Sequence, residues 1–172
     1  VDGNIAYFAA SEVPLREDLQ GGSVVGLPPW FIRDGRGGNE WLPLRNAQPG
    51  QAIPYEILPA AEMPQLLNPP AGWFVNANND PAGTVLDNNP LNQLRPGGGL
   101  YYLNPGYDMG LRAGRITELL RTGLARRPLS FEDMQAIQAD VLLPDAPYFV
   151  PYIRQALVRA AETAANPALA VL

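Results

Sequence analysis

Three asparagines stand close together in the stretch Gly72-Trp73-Phe74-Val75-Asn76-Ala77-Asn78-Asn79-Asp80-Pro81. Each carries a neutral amide that both donates and accepts hydrogen bonds. Where a hydrophobic strand surfaces, such a set either closes an Asx-rich turn or aims donors at a ligand. The turn is the commoner use of these residues. The residues leading into them set up that geometry. Trp73, Phe74 and Val75 are bulky, aromatic or branched, which predicts a strand over 71–77 ending at the amides.

The chemistry open to the chain is bounded by what it lacks. Its 172 residues include no His, no Cys and no Lys, so all 12 basic residues are Arg. A Ser-His-Asp triad, a Cys nucleophile, a His or Cys zinc site, a Walker lysine and a Schiff-base lysine are therefore all excluded within this chain. Catalysis must use carboxylates, hydroxyls, amides or Arg, or a group from another chain. The length suits one domain or a large piece of a bigger one, and at 47% the apolar residues suffice for a core. A formal charge of −5 argues against a nucleic-acid partner. No apolar run approaches the roughly 18 residues of a membrane span.

The elements follow in order. Asp2-Gly3-Asn4 reads as a hairpin turn and Ile5-Ala6-Tyr7-Phe8-Ala9 as the strand after it. Only Val1 precedes that turn, so the chain is expected to continue upstream into a first strand. Residues 10–70 read as loop-rich, with Glu40-Trp41-Leu42 as a short strand. The Gly-rich Asp34-Gly35-Arg36-Gly37-Gly38-Asn39 reads as a surface turn. Residues 1–106 hold 14 Gly and 14 Pro and residues 107–172 only 3 and 5, which places one boundary between a strand-and-loop segment and a helical one. In the helical part, Ile116, Leu119 and Leu120 recur at helical spacing before a stop at Gly123. Ser130 reads as an N-cap with Asp133 three residues on. Phe131, Met134, Ile137 and Val141 form the stripe of a second helix. A third is predicted over about 148–164, with Ile153, Leu157, Ala160 and Ala164 facing a core and Pro151 in or before its first turn.

Several segments in this order carry a family resemblance. They are Asp2-Gly3-Asn4-Ile5-Ala6-Tyr7, Pro14, Asn68-Pro69-Pro70-Ala71-Gly72-Trp73-Phe74-Val75-Asn76-Ala77-Asn78-Asn79, Arg112-Ala113-Gly114-Arg115-Ile116, and Ser130-Phe131-Glu132-Asp133-Met134 running on to Asp140. Together they resemble the penicillin acylase family of N-terminal-nucleophile amidohydrolases. The segment 68–79 is the most specific part; the loops at 18–60 and 80–107 match poorly.

The resemblance implies an α+β fold that forms part of a four-layer αββα sandwich. Its strands and loops come first and its helices after about residue 110, as one incomplete domain. It implies an amide hydrolase whose precursor cleaves itself and whose nucleophile, an N-terminal Ser upstream of Val1, uses its own α-amine as base. It assigns the side-chain amide of Asn78 to the oxyanion hole and makes Arg115 a fixed cation orienting the active site. Asn76 and Asn79 are left to brace the turn. On the residues alone, Arg115 reads first as a helix-surface arginine that snorkels from a helix N-terminus or pairs with a carboxylate such as Glu118. A structural calcium is implied for many members. Here Asn104 stands where an Asp is expected, leaving Asn104 or Asp108 as the candidate oxygen ligands. The implied partners are the remainder of the precursor and a small acyl-amide substrate, in a periplasmic or secreted setting, with self-association of the segment by itself. Two other functions stay open: a catalytically dead relative or assembly module, and a carbohydrate-binding domain stacking sugars on exposed Trp30, Trp41 and Trp73. An acylase instead buries Trp73.

Overall fold

The computed structural model describes residues 3–164, and side-chain surroundings as far as residue 160. It is mixed α and β and divides into two units, Val1–Asp108 and Met109–Leu172. The turn expected at Asp2-Gly3-Asn4 and the missing strand before it fall partly or wholly outside the described residues.

In the first unit, β1 (Ala6–Phe8) pairs antiparallel with β2 (Gln65–Leu67), with Tyr7 opposite Leu66. Asn68 locks the open end of this ladder. It holds a left-handed φ of 47° and accepts from Ile5 N–H through Oδ1 at 2.9 Å. Around the ladder, extended segments meet only at single bridges, Pro14 with Ile57, Arg16 with Trp41 and Pro43 with Tyr55. The strand expected at Glu40-Trp41-Leu42 shrinks to the Trp41 bridge. Prolines 14, 43, 54 and 59 remove the donors that a longer ladder needs. Leu19, Leu58, Met63 and Leu100 form the buried apolar centre. Gly99 brings the backbone against it: with φ 83°, an added Cβ would lie 2.9 Å from Leu19 O. Beneath the loop that Gly99 closes, Arg95 and Glu62 form a buried ion pair with Nε–Oε2 2.6 Å.

The strand expected over 71–77 does not form. Residues 73–76 take no regular secondary structure and belong to no ladder among the described residues. The sequence places a turn-maker at each end, Gly72 at φ 74° and Asn78 at φ 59°. The side chains of Asn76 and Asn79 then take the N–H groups of Asn78 and Ala77 that a neighbouring strand would need.

The second unit holds α1 (Leu111–Leu124), α2 (Phe131–Gln138) and α3 (Ala146–Ala164). Gly123 does not stop α1, which runs to Leu124. The lack of a side chain at Gly123 instead leaves room for Leu129, whose Cδ2 a Cβ there would approach to 2.5 Å, so that the Leu129 side chain would have to shift. Ser130 caps α2 with a full capping box, its Oγ accepting from Asp133 N–H and the Asp133 carboxylate accepting from Ser130 N–H. Ser130→Ala is expected to destabilise the protein by about 1 kcal/mol, measured by urea titration. An unchanged midpoint would show the cap to be idle. Pro151 lies in the second turn of α3, because the helix starts at Ala146 and its first turn is already closed by Tyr148 and Phe149 donating to Asp145 O. The stripes expected to face a core are largely uncovered: Phe131, Val141, Ile153 and Leu157 are all exposed, while Leu120 of α1 is buried. Within the second unit, the contacts between described helices are those of α1 with α2.

Candidate active site

The site in the first unit is built by β1 and the turn at 76–80. Alternation along β1 presents Tyr7 towards that turn, where its ring tilts against Phe74 with centroids 5.7 Å apart. The Tyr7 hydroxyl accepts from Asn76 Nδ2 at 3.2 Å, and Asn76 Oδ1 accepts from Asn78 N–H at 3.1 Å. Asn79 Oδ1 accepts from Ala77 N–H at 3.0 Å, and Asn78 O accepts from Asp108 N–H at 2.9 Å. Both flanking asparagines therefore brace the turn, as the sequence suggests. Asn78 is held from two sides in a left-handed conformation that asparagine tolerates better than most residues.

That conformation places exposed Asn78 in the wall of a cleft of about 440 Å³, with Tyr7, Asn76, Asn104, Tyr107 and Asp108 also contributing. A smaller cleft of about 190 Å³ shares Tyr7, Asn76 and Asn79 with it and reaches apolar Leu66, Phe74 and Val75. Asp80 is committed to structure. Its carboxylate accepts from the N–H groups of Ala82, Gly83 and Val85 and from the Thr84 hydroxyl, tying residues 80–85 into a tight turn. Burial, with the Asp80 carboxylate adding to it, pushes the Tyr107 phenol up to about 12. Tyr107 thus stays a neutral donor throughout the physiological range.

Calcium takes roughly six to eight oxygen ligands. Asn104 and Asp108 share the larger cleft, but among the described residues no three acidic side chains cluster to hold a metal. With Asp80 already saturated, this donor set does not make a calcium site by itself.

Arg115 belongs to the second unit and is described there. Its Nη1 donates to Glu118 Oε2 at 2.9 Å, the i+3 pair that helical spacing suggests. Its Nε and Nη2 also fork onto Asp140, at 3.0 and 2.8 Å, a partner 25 residues away that spacing does not reveal. Hydrogen bonding to Asp140 and then Glu118 holds the guanidinium even more firmly protonated than usual, and the guanidinium holds the Asp140 carboxyl below its ordinary range. The lowered value sets the sign of the pH effect. The Arg115–Asp140 contribution is complete above the ordinary carboxylate value of about 3.9 and is lost as pH falls through the lowered one. Wild type is expected to exceed Asp140→Asn in stability near neutrality, the two converging in acid; parallel pH–stability curves would refute the pair.

Trp30 and Trp41 are exposed, as sugar stacking would require, but each is engaged within the chain. Trp30 stacks on Tyr102 with centroids 6.2 Å apart, and Trp41 carries the Arg16 guanidinium 4.9 Å above its ring. Trp73 is half-buried.

Comparison with known proteins decides the family. The family model described as penicillin amidase matches residues 1–172. The chain belongs to the penicillin amidase family. Penicillin amidase membership carries a hydrolase function of amidohydrolase type in general. No curated protein and no solved structure matches the chain. The penicillin amidase site is therefore read from the residues themselves. Of its two sequence candidates, Asn78 lines a cleft and Arg115 joins two carboxylates. Tyr7 and Tyr107 are cleft residues that no short motif flags.

Proposed function

We propose that this chain is a wall of the active site of an amide hydrolase that cleaves a small acylated amine through an N-terminal Ser upstream of Val1. The core would be the four-layer αββα sandwich, completed by the rest of a self-cleaving precursor. The Ser hydroxyl attacks the amide carbon and passes its proton to its own α-amine. The carbonyl oxygen becomes an oxyanion that accepts a hydrogen bond from Asn78 Nδ2. Collapse expels the amine, which takes up the proton, and water then hydrolyses the acyl-enzyme. Arg115 keeps its charge at any working pH and would orient the site from its carboxylate fork. The acyl group would be held outside this segment.

The observation that carries this reading is the clamp on Asn78. Its backbone is pinned by Asn76 Oδ1 on one side and Asp108 N–H on the other, at the wall of a cleft. A donor fixed in advance needs no reorganisation when charge develops, which is what oxyanion stabilisation requires. The test uses the full-length precursor. Intact mass and N-terminal sequencing should find two chains, one beginning with Ser, and a chromogenic acyl-amide panel should be turned over. An unprocessed, inert protein would contradict the reading and favour the dead relative.

A further inference from the structure

We propose that the peptide bond between Arg36 and Gly37 is a cleavage site for an arginine-specific endopeptidase, and that the cut chain keeps its fold. The Gly-rich turn at 34–39 presents the bond, and the residues on either side of it hold the ends.

The first ground is presentation. The Arg36 side chain is 88% exposed. Its glycine neighbours leave open space around it, since a Cβ at Gly35, Gly37 or Gly38 would meet nothing within 4 Å. Among the described residues, the N–H groups of Gly37 and Gly38 make no hydrogen bond within the chain. No ladder therefore has to break before this backbone extends into a protease cleft. Gly37 at φ 117° and Gly38 at φ 79° can take up the extended form at no steric cost. Exposed loop tips of small and polar residues are where proteases cut. Asp34 forks onto the Arg36 guanidinium, with Nε–Oδ1 2.9 Å and Nη2–Oδ2 2.7 Å. A carboxylate in the protease's primary pocket takes the place of Asp34, and an ion pair this exposed yields readily.

The second ground is that the other arginines are protected. Arg16 and Arg33 lie in a part-buried network with Asp18. Five more lie within α1 and α3. Arg95 and Arg127 precede Pro96 and Pro128, whose rings stand where a protease needs an N–H. At Arg45 the amide that would be cut is held, because Asn46 N–H donates to Glu56 Oε1 at 2.6 Å. At Arg126 it is held likewise, with Arg127 N–H donating to Gly123 O at 3.3 Å.

The third ground is what holds the cut ends. Arg16 donates to Pro29 O before the cut, at 3.3 Å, and to Asn39 O after it, at 3.2 Å, so one guanidinium closes the neck of the loop. Arg33 pairs with Asp18 on the first side. Glu17 N–H donates to Glu40 O at 3.0 Å on the second. Hydrolysis adds water across the bond. The Arg36 carbonyl carbon takes the hydroxyl and becomes a carboxylate, and the Gly37 nitrogen takes the proton and becomes a new α-amine.

The test uses the lack of lysine in these 172 residues. Arg36→Lys, Arg45→Lys and Arg126→Lys, each in the full-length protein, are exposed to a lysine-specific endopeptidase. Each offers one cleavable bond in this segment, located by intact mass and N-terminal sequencing. Arg36→Lys is expected to be cut at least about tenfold faster than the other two, releasing a chain that begins Gly37-Gly38-Asn39-Glu40. On wild type, trypsin should make its first cut in this segment at the same bond. The two pieces should elute together in native size exclusion and separate in guanidinium. An uncut Arg36→Lys, comparable rates for the three variants, or a first tryptic cut elsewhere in the segment overturns the site. Pieces that separate without denaturant overturn the retained fold.

Discussion

Replacing Asn78 by Gly in the full-length protein is expected to lower kcat by about a hundredfold to a thousandfold, with a much smaller change in KM. Glycine is the informative substitution because Asn78 sits at φ 59°. Alanine would add backbone strain to the lost amide, whereas glycine adopts that conformation freely and removes only the donor. Asn78→Asp is the complement. It keeps the size and the tolerance of a left-handed backbone, but its carboxylate cannot donate and repels an oxyanion, so it should fall at least as far. The selective loss in kcat follows from the charge, which is on the carbonyl oxygen in the transition state and not in the bound amide. Steady-state kinetics on correctly processed protein decide the matter. A Gly variant with wild-type kcat would reduce Asn78 to a turn residue.

The largest effect on stability is expected at Arg95. Its side chain is 6% exposed and that of Glu62 11%, and Arg95 also donates to Gly98 O. Arg95→Ala leaves a carboxylate buried without its cation, a loss of about 3–5 kcal/mol. The pair as such need not be stabilising, because two buried charges forgo their hydration. The double change Arg95→Met with Glu62→Leu is therefore expected to recover most of that loss. Denaturant midpoints for the single and double variants test this. A double variant as unstable as Arg95→Ala would show that the Arg95 contacts to the glycine loop matter more than charge pairing.

What sequence reading captured and missed divides along chain separation. The capping box at Ser130 and Asp133 was legible because its atoms are three residues apart and its chemistry is local. So was the helical stripe of α1 and the use of Asn76 and Asn79 as braces, each bonded to an N–H two residues away. The strand expected over 71–77 was misread for a related reason: its β-favouring side chains were weighed, but not the competition of the asparagine side chains for the N–H groups a ladder would need. The Tyr7–Asn76 bond spans 69 residues, Arg95–Glu62 33 and Arg115–Asp140 25. None of these follows from spacing, because each depends on which loops the fold brings together. The apolar faces of α2 and α3 were read correctly as apolar and wrongly as covered. Periodicity reports which face seeks a partner, not whether this chain supplies one.

The most direct test of the central claim compares a tetrahedral mimic with a ground-state ligand. A boronic acid matched to the acyl group of the best substrate forms a tetrahedral adduct on the nucleophile and presents a negatively charged oxygen to the oxyanion donors. The matched carboxamide presents only a neutral carbonyl. If Asn78 stabilises the oxyanion, Asn78→Gly should weaken the boronic acid by about a hundredfold or more while leaving the carboxamide nearly unchanged. Equal affinity of wild type and variant for the boronic acid would contradict the account.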